Sequence, residues 1–190
     1  MDKLILEPRL IATVGLPFSG KSTLARALAR TLPAELVELD VATGDVPALA
    51  DDAVAWIERY RLAHEQIRRV LAESDEFVVF DAVNHRRHQR DRLRNIATGA
   101  GAGVRFVWLD APVGIALARL RRNWLAPTRL EVPEHAFAEI EDAFEAPGGE
   151  PDVLVFDGTL PVARWVEDLV DALLISGDLR TDGDLAFRRC

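Results

Sequence analysis

The sequence is nearly devoid of cysteine and contains no long apolar run. Its single cysteine, Cys190, can form neither an intrachain disulfide nor a cysteine zinc site. No segment approaches the roughly 20 apolar residues that a membrane-spanning helix requires. The opening stretch MDKLILEPRL contains acids and a proline and lacks the apolar centre of a secretory signal. These absences predict a cytoplasmic protein with no membrane partner.

Lysine is also scarce, and the overall charge is negative. The 23 basic residues comprise 21 arginines and two lysines, Lys3 and Lys21. A net charge of −8 argues against broad nucleic-acid binding, which requires clustered cations to replace counterions. A local basic groove for a nucleic-acid end stays possible, and the sequence leaves the oligomeric state open.

Short apolar runs alternate with longer amphipathic segments along the chain. The predicted strands cover 9–15, 35–40, 76–82, 104–112 and 152–158. The predicted helices cover 22–32, 51–73, about ten residues from His88, 113–122, 134–144 and 161–175. This alternation predicts an α/β fold in which helices cover both faces of a doubly wound parallel sheet. We expect one domain over 1–176 and a flexible tail over 177–190, where no periodicity is present.

The stretch GLPFSGKST at residues 15–23 matches the pattern G-x-x-x-x-G-K-[ST], which binds nucleotide phosphates. It follows an apolar strand and opens a helix, as the pattern requires. Glycines permit a tight turn and close approach of the backbone, while inward-pointing amides and the helix N-terminus attract anions. Lys21, a compact ammonium, neutralises phosphate charge, and the Ser22 hydroxyl can bind Mg²⁺. The predicted phosphate-binding residues are Gly15, Ser19, Gly20, Lys21, Ser22 and Thr23.

Three predicted strands have an aspartate at or near their carboxyl end: Asp40, Asp81 and Asp110. The carboxyl ends of parallel strands open onto the ligand crevice of a doubly wound sheet. Asp81 suits the carboxylate that holds Mg²⁺, although a turn residue is the alternative. Asp40 can accept a proton from a substrate hydroxyl. Asp110 precedes Pro112 and is better explained as a capping or turn residue.

Arginines cluster in two further segments. The segment LARLRRNW contains Arg119, Arg121 and Arg122, and Arg129 follows in the next loop. These arginines are candidates for a mobile lid over the γ-phosphate, and a solvated basic helix face is an equally good interpretation. The segment after Asp81 contributes three candidate substrate-binding residues: Asn84, Arg86 and Arg90. His85 and His88 lack metal-ligand partners and are interpreted as surface histidines.

Taken together, four segments resemble a known group of enzymes. GLPFSGKSTLARAL, ELD, VVFDAVNHRRHQRDRL and VWLDAPVGIALARLRRN are similar to the small P-loop kinases of the polynucleotide-kinase-like and zeta-toxin-like type. These proteins are often grouped as AAA-family ATP-binding proteins. The resemblance implies a P-loop NTPase core of five strands in the order 2-3-1-4-5, with an arginine-bearing lid.

The resemblance also implies roles for individual residues. Lys21 and Ser22 match the nucleotide and Mg²⁺ ligands, and Asp40 matches the catalytic base. The segment DAVN is similar to the family's D-x-T-N, in which Asp81 and Asn84 are present and a valine replaces the threonine.

Two arginines, Arg122 and Arg129, are similar to the lid arginines of the family. The segment DGTLP, which contains Gly158, resembles the loop that wraps the adenine. One departure concerns the acceptor: Thr43 stands where family members usually carry an arginine about three residues after the base.

These observations predict an ATP- and Mg²⁺-dependent kinase that transfers the γ-phosphate to a hydroxyl of a small molecule or a nucleic-acid end. The alternative is a nucleotide-binding switch or accessory ATPase that hydrolyses slowly and acts on a protein partner. Thr43 favours the switch, whereas the lid-like arginines favour the kinase. We expect the kinase, with Asp40 as the residue whose substitution distinguishes the two.

Overall fold

A computed structural model describes residues 7–40, 53–126 and 132–175. The described residues form one five-stranded parallel sheet with strand order β2-β3-β1-β4-β5. Its strands are β1 (Pro8–Val14), β2 (Ala34–Glu38), β3 (Phe77–Asp81), β4 (Gly103–Asp110) and β5 (Val153–Asp157). The helices are α1 (Lys21–Thr31), α2 (Ala53–Glu73), α3 (Arg87–Gly99), α4 (Val113–Leu125), α5 (Glu134–Asp142) and α6 (Val162–Ile175). The predicted doubly wound fold and strand order are confirmed.

The sheet is buried on both faces because successive side chains of a strand point in opposite directions. In the central strand β1, Leu10 packs into the core beneath α2 and α3, which includes Ile67 and Leu93. The next residue, Ile11, packs into a second core beneath α1 and α6, which includes Leu24 and Trp165. The two cores hold both layers of helices against one sheet.

The element boundaries agree with the sequence prediction to within about three residues, with two differences that concern the site. The second strand ends at Glu38, so Asp40 lies in the turn after the strand. Helix α4 continues to Leu125, three residues beyond the predicted end, so Arg122 lies inside the helix. The predicted tail, 177–190, lies outside the described residues.

No helix within 7–40, 53–126 and 132–175 is long and apolar enough to cross a membrane.

Candidate nucleotide-binding site

The loop between β1 and α1 turns tightly at the carboxyl edge of the sheet. Gly15 has a φ of 147°, and a Cβ placed on it would lie 2.9 Å from the Leu109 carbonyl oxygen, so only glycine fits. Gly20 ends the loop with a φ of 112°. Between them the Ser19 amide donates to the Leu16 carbonyl at 3.1 Å, and the Lys21 Nζ donates to the same oxygen at 2.6 Å. The ammonium therefore lies inside the curl of the loop.

The start of α1 offers amide donors to an anion. Helix α1 begins at Lys21, and the Leu24 amide donates a hydrogen bond to the Gly20 carbonyl four residues earlier. The amides of Lys21, Ser22 and Thr23 precede that bond and have no partner four residues back within the helix. An anion at this end also meets the positive end of the helix dipole. These residues suit the phosphates of a nucleotide, as the sequence predicts.

Ser19 adds a buried hydroxyl to the loop. The residue is fully buried, and its Oγ has no hydrogen-bond partner among the residues that the structure describes. A buried hydroxyl without a partner costs free energy, so its presence in a loop of this shape suits a bound polar group.

Hydrogen bonds join the end of β3 to the phosphate loop. Thr13 Oγ1 lies 3.2 Å from Asp81 Oδ1 and 2.9 Å from the Ala82 carbonyl oxygen, and it accepts from the Ala82 amide at 3.2 Å. The Gly15 amide donates to the Val83 carbonyl at 3.2 Å. This arrangement holds the Asp81 carboxylate, which is 8% exposed, beside the strand that leads into the loop.

The donor set at this point fits Mg²⁺. Ser22 contributes a hydroxyl at the start of α1, and Asp81 contributes a carboxylate at the end of β3. Across the described parts of the chain, no group of three or more histidine, cysteine, aspartate or glutamate side chains could form a closed metal cage. Mg²⁺ is commonly bound through one or two protein oxygens together with phosphate oxygens and water, so Ser22 and Asp81 are the candidate ligands.

A cavity of about 620 Å³ adjoins the phosphate loop on the α4 side. It is lined by Phe18, Gly20, Thr23, Arg119, Arg122, Asn123, Ala126, Thr159, Leu160, Pro161, Val162 and Trp165. Its wall therefore combines the phosphate loop, helix α4 and the segment after β5, which is the segment that resembles an adenine-binding loop. The volume lies in the range typical of small-molecule sites.

Arg119 joins three parts of this cavity. Its Nη1 donates to the carbonyls of Phe18 and Ser19 at 3.3 and 3.1 Å, and its Nη2 donates to the Gly158 carbonyl at 3.3 Å. Arg119 and Arg122 are three residues apart on α4, and both line the cavity. The sequence predicts Arg119 only as a candidate lid arginine; its contacts with the phosphate loop join residues about 100 positions apart, which no local pattern indicates.

Gly158 lies where β5 leaves the sheet. Its amide donates to the Asp110 carbonyl at 3.1 Å, and an added Cβ would lie 2.5 Å from the Cβ of Ala111. The following turn is held by Asp157, whose side chain accepts from the Thr159 amide at 2.8 Å. The side-chain hydrogen bond from Thr159 lowers the pKa of Asp157 below its ordinary value. The segment is therefore anchored at the edge of the cavity.

Asp40 is exposed on the other side of the phosphate loop. The Leu39 amide donates to the Asp81 carbonyl at 3.0 Å, so Asp40 follows directly after a residue bonded to the end of β3. Arg59 is 4% exposed and donates from Nη1 to the Asp40 carbonyl at 3.3 Å. Burial first, and then the charge of Asp40, raises the pKa of Tyr60. Arg59 and Tyr60 were missed in the sequence because they occur on the apolar side of a helix.

The three predicted substrate-binding residues occupy different environments. Asn84 is 1% exposed, has a φ of 46°, and donates from Nδ2 to the Thr13 carbonyl at 2.8 Å. Arg90 is also 1% exposed; it donates to the Asn84 carbonyl at 3.1 Å and forms an ion pair with Glu150 at 2.6 Å. Both residues therefore support the segment after β3. Arg86 alone of the three is exposed to solvent.

Two other predicted positions are His85 and Arg129. His85 was interpreted as a surface histidine, but it is half-buried, and burial lowers its pKa to about 4 with a further contribution from Arg86. Arg129, the second predicted lid arginine, lies outside the described residues, as does Thr43.

The parallel sheet, its strand order and the glycine-rich loop before α1 define the class of protein: a P-loop nucleotide-binding fold. Within this class the model of the AAA domain family matches residues 10–147. That match covers more than half of the chain, so the chain belongs to the AAA domain family. No curated protein matches the chain.

Solved structures with the same fold include kinases that act on small molecules, as their names state. A gluconokinase from Sinorhizobium meliloti 1021 superposes with a TM-score of 0.62 at 23% identity, covering 90% of this chain and 99% of that one. The APS kinase of Mycobacterium tuberculosis, in complex with AMPPNP and APS, gives 0.67 at 19% identity, with 90% and 99% covered. The predicted resemblance to small P-loop kinases is confirmed at the level of fold.

The same fold also occurs in Kti12 from Chaetomium thermophilum, solved in complex with ADP-AlF3. That structure superposes with a TM-score of 0.65 at 20% identity, covering 86% of this chain and 98% of that one.

Proposed function

We propose that the protein is an ATP- and Mg²⁺-dependent phosphotransferase that moves the γ-phosphate to a hydroxyl group. The observation that carries this proposal is the order of groups along one edge of the sheet. Asp40 follows β2, Asp81 ends β3, the phosphate loop follows β1, and the cavity with Arg119 and Arg122 lies beyond. A candidate base and a nucleotide cavity thus lie on opposite sides of the phosphate loop.

Phosphoryl transfer requires mainly positioning and charge neutralisation. In the proposed reaction the acceptor oxygen forms a bond to the γ-phosphorus, while the bond from that phosphorus to the oxygen bridging to the β-phosphate breaks. ADP leaves, and Asp40 accepts the proton of the acceptor hydroxyl. Asp40 is exposed and can pass this proton to water.

The remaining residues bind the nucleotide and its charge. The loop amides and Lys21 hold the phosphates, and Arg122 at the cavity wall, together with Arg129, spreads the charge of the group in transfer. Mg²⁺, held by Ser22 and Asp81, would neutralise the phosphate oxygens. The segment that contains Gly158 encloses the adenine of the nucleotide. The bonds from Arg119 to both the phosphate loop and Gly158 support a nucleotide that spans the two.

The acceptor we favour is a hydroxyl of a small molecule. The similar gluconokinase and APS kinase structures support this choice by their names. The exposed Arg86 close behind Asp81 suits an anionic or polar acceptor beside Asp40. The net charge of −8 disfavours a long nucleic acid but permits a nucleic-acid end.

The test measures ADP release with ATP and Mg²⁺, with and without a panel of sugars, nucleosides and short 5′-hydroxyl oligonucleotides. The variants are Lys21→Ala and Asp40→Asn, with Asp110→Asn as the matched control, because Asp110 is likewise an exposed aspartate at the carboxyl edge of the sheet. We expect one acceptor class to raise ADP release in the wild type and in Asp110→Asn. Both Lys21→Ala and Asp40→Asn should lose this response. For Asp40→Asn, which removes the candidate catalytic base, the acceptor-dependent rate should fall about 100-fold or more.

A different result would favour the nucleotide-binding switch. In that case ADP release stays slow with every acceptor and tolerates Asp40→Asn, while Lys21→Ala still abolishes it. No specific contact in the described residues favours that function over the kinase.

A further inference from the structure

A second cavity lies between α2 and α3, away from the nucleotide site. Its volume is about 650 Å³, within the range of small-molecule sites. It shares no lining residue with the nucleotide cavity. The two helices pack on the core opposite the one formed by α1 and α6, so the proposed phosphotransfer does not use this groove.

Two arginines face the groove without an acidic partner. Arg68 from α2 and Arg92 from α3 form no hydrogen bond or salt bridge with any residue in the described ranges, unlike most arginines on these helices. The acid that lines the groove, Asp91, is paired with Arg94 at 2.6 Å. With respect to the residues that the structure describes, both guanidiniums are therefore available to a bound anion.

The two arginines line the same groove from different helices, Arg68 from α2 and Arg92 from α3. His64, a residue of α2 that is 5% exposed, has its pKa lowered to about 4 by burial and then by the charges of Arg92 and Arg68. Both guanidiniums are therefore close enough to act on the same imidazole. Two cations that line one groove repel each other, and a doubly negative group bound between them would reduce this repulsion.

The remaining wall suits the body of a small organic molecule. His88 and Asn95 add polar groups, and Ile96 adds an apolar surface. Gly99 has no side chain, and an added Cβ there would have no atom within 4 Å, so this end of the groove is open.

We propose that the groove between α2 and α3 binds a phosphorylated small molecule whose phosphate lies between Arg68 and Arg92. A phosphomonoester carries up to two negative charges and therefore matches two guanidiniums better than a carboxylate does. A long polyanion is disfavoured by the net charge of −8. This site is independent of the proposed phosphotransfer.

The test uses isothermal titration calorimetry with ribose 5-phosphate and, separately, inorganic phosphate. The full chain is saturated with ADP and Mg²⁺ so that the phosphate loop does not contribute. The variants are Arg68→Gln, Arg92→Gln and the double variant. Arg69→Gln is the matched control, because Arg69 is the next residue on α2 and does not line the groove.

We expect one binding event in the wild type and in Arg69→Gln. Each single variant should weaken the binding about tenfold, since each loses charge-assisted hydrogen bonds, and the double variant should abolish it. As a second readout, the proton NMR titration of His64 should shift to higher pH when the probe binds, because the probe neutralises both arginines.

Two results would overturn the proposal. One is that neither probe binds the wild type at millimolar concentration. The other is that binding survives in the double variant, which would locate it elsewhere. The exposed positions of both arginines allow these variants to fold, which thermal melting checks.

Discussion

Replacing Gly158 by alanine tests how closely β5 approaches β4 at the edge of the nucleotide cavity. The added Cβ would lie 2.5 Å from the Ala111 Cβ, 2.7 Å from its Cα and 2.8 Å from its amide nitrogen. Carbon atoms in contact normally lie about 3.5–4 Å apart. Because two of the three atoms belong to the backbone, the conflict cannot be relieved by a side-chain rotation.

The cost follows from this geometry. The segments that follow β4 and β5 must separate by about 1 Å, and overpacking of this kind costs about 1–3 kcal/mol. The hydrogen bond from the Gly158 amide to the Asp110 carbonyl, now 3.1 Å, lengthens and contributes about 1 kcal/mol more. A loss of about 3 kcal/mol lowers the Tm of a chain of this size by about 6–12 °C.

The assay is thermal unfolding followed by circular dichroism, together with the Kd for ADP. Gly114→Ala is the matched control, because Gly114 lies in the first turn of α4 and an added Cβ would have no neighbour within 4 Å. We expect the control to be unchanged or more stable by up to about 1 kcal/mol. The Gly158 variant should also bind ADP more weakly, because Arg119 donates to the Gly158 carbonyl. Equal Tm values for the two variants would refute this description of the β4–β5 edge.

Three further predictions concern buried polar groups. Arg90→Met removes the ion pair with Glu150, and we expect the free energy of unfolding in urea to fall by about 3 kcal/mol. Thr13→Val removes the hydroxyl beside Asp81, and we expect a loss of about 1–2 kcal/mol and a weaker Mg²⁺ dependence of ADP binding. His64 has a folded pKa of about 4 against an ordinary 6.5, so the unfolded state binds more protons between these values and stability falls as the pH falls. At pH 5 this loss is about 2 kcal/mol.

Each of these three has a control. For Arg90, the control is Arg92→Met, an exposed arginine on the same helix, and an equal effect of the two would contradict the importance of the buried pair. Thr13→Ser keeps the hydroxyl and should restore Mg²⁺ dependence; if it behaves like valine, the hydroxyl does not position Asp81. His64→Phe should flatten the dependence of stability on pH between 6.5 and 5, and an unchanged slope would assign that dependence to other groups.

Much of the fold was predictable because its signals are local. Apolar runs of five to eight residues and helical periodicity depend on neighbouring residues, and the strands were placed correctly from them. The turn at Asp40 was harder: an apolar-acidic run such as ELVELD continues smoothly in sequence, while pairing with β3 ends the strand at Glu38. The strand order came from the family resemblance, since local patterns do not state which strands pair.

The functional site also has one part that the local sequence predicts and another part that it does not. The residues of the phosphate loop are contiguous, from Gly15 to Thr23, so their spacing alone predicts the loop. The supporting contacts are not contiguous. The sequence predicts Asn84 and Arg90 as substrate-binding residues, but the packing of α3 against the sheet buries both.

The sequence by itself determined the phosphate-binding loop, the alternation of strands and helices and the acids at the strand ends, because each depends on residues close together in the chain. Only the tertiary structure decided that Arg119 reaches Ser19 across 100 residues and that Arg59 supports Asp40. It also decided that Arg68 and Arg92 face one groove. The physical reason is that these contacts depend on which strands pair and how the helices pack on them, and no local pattern encodes that arrangement.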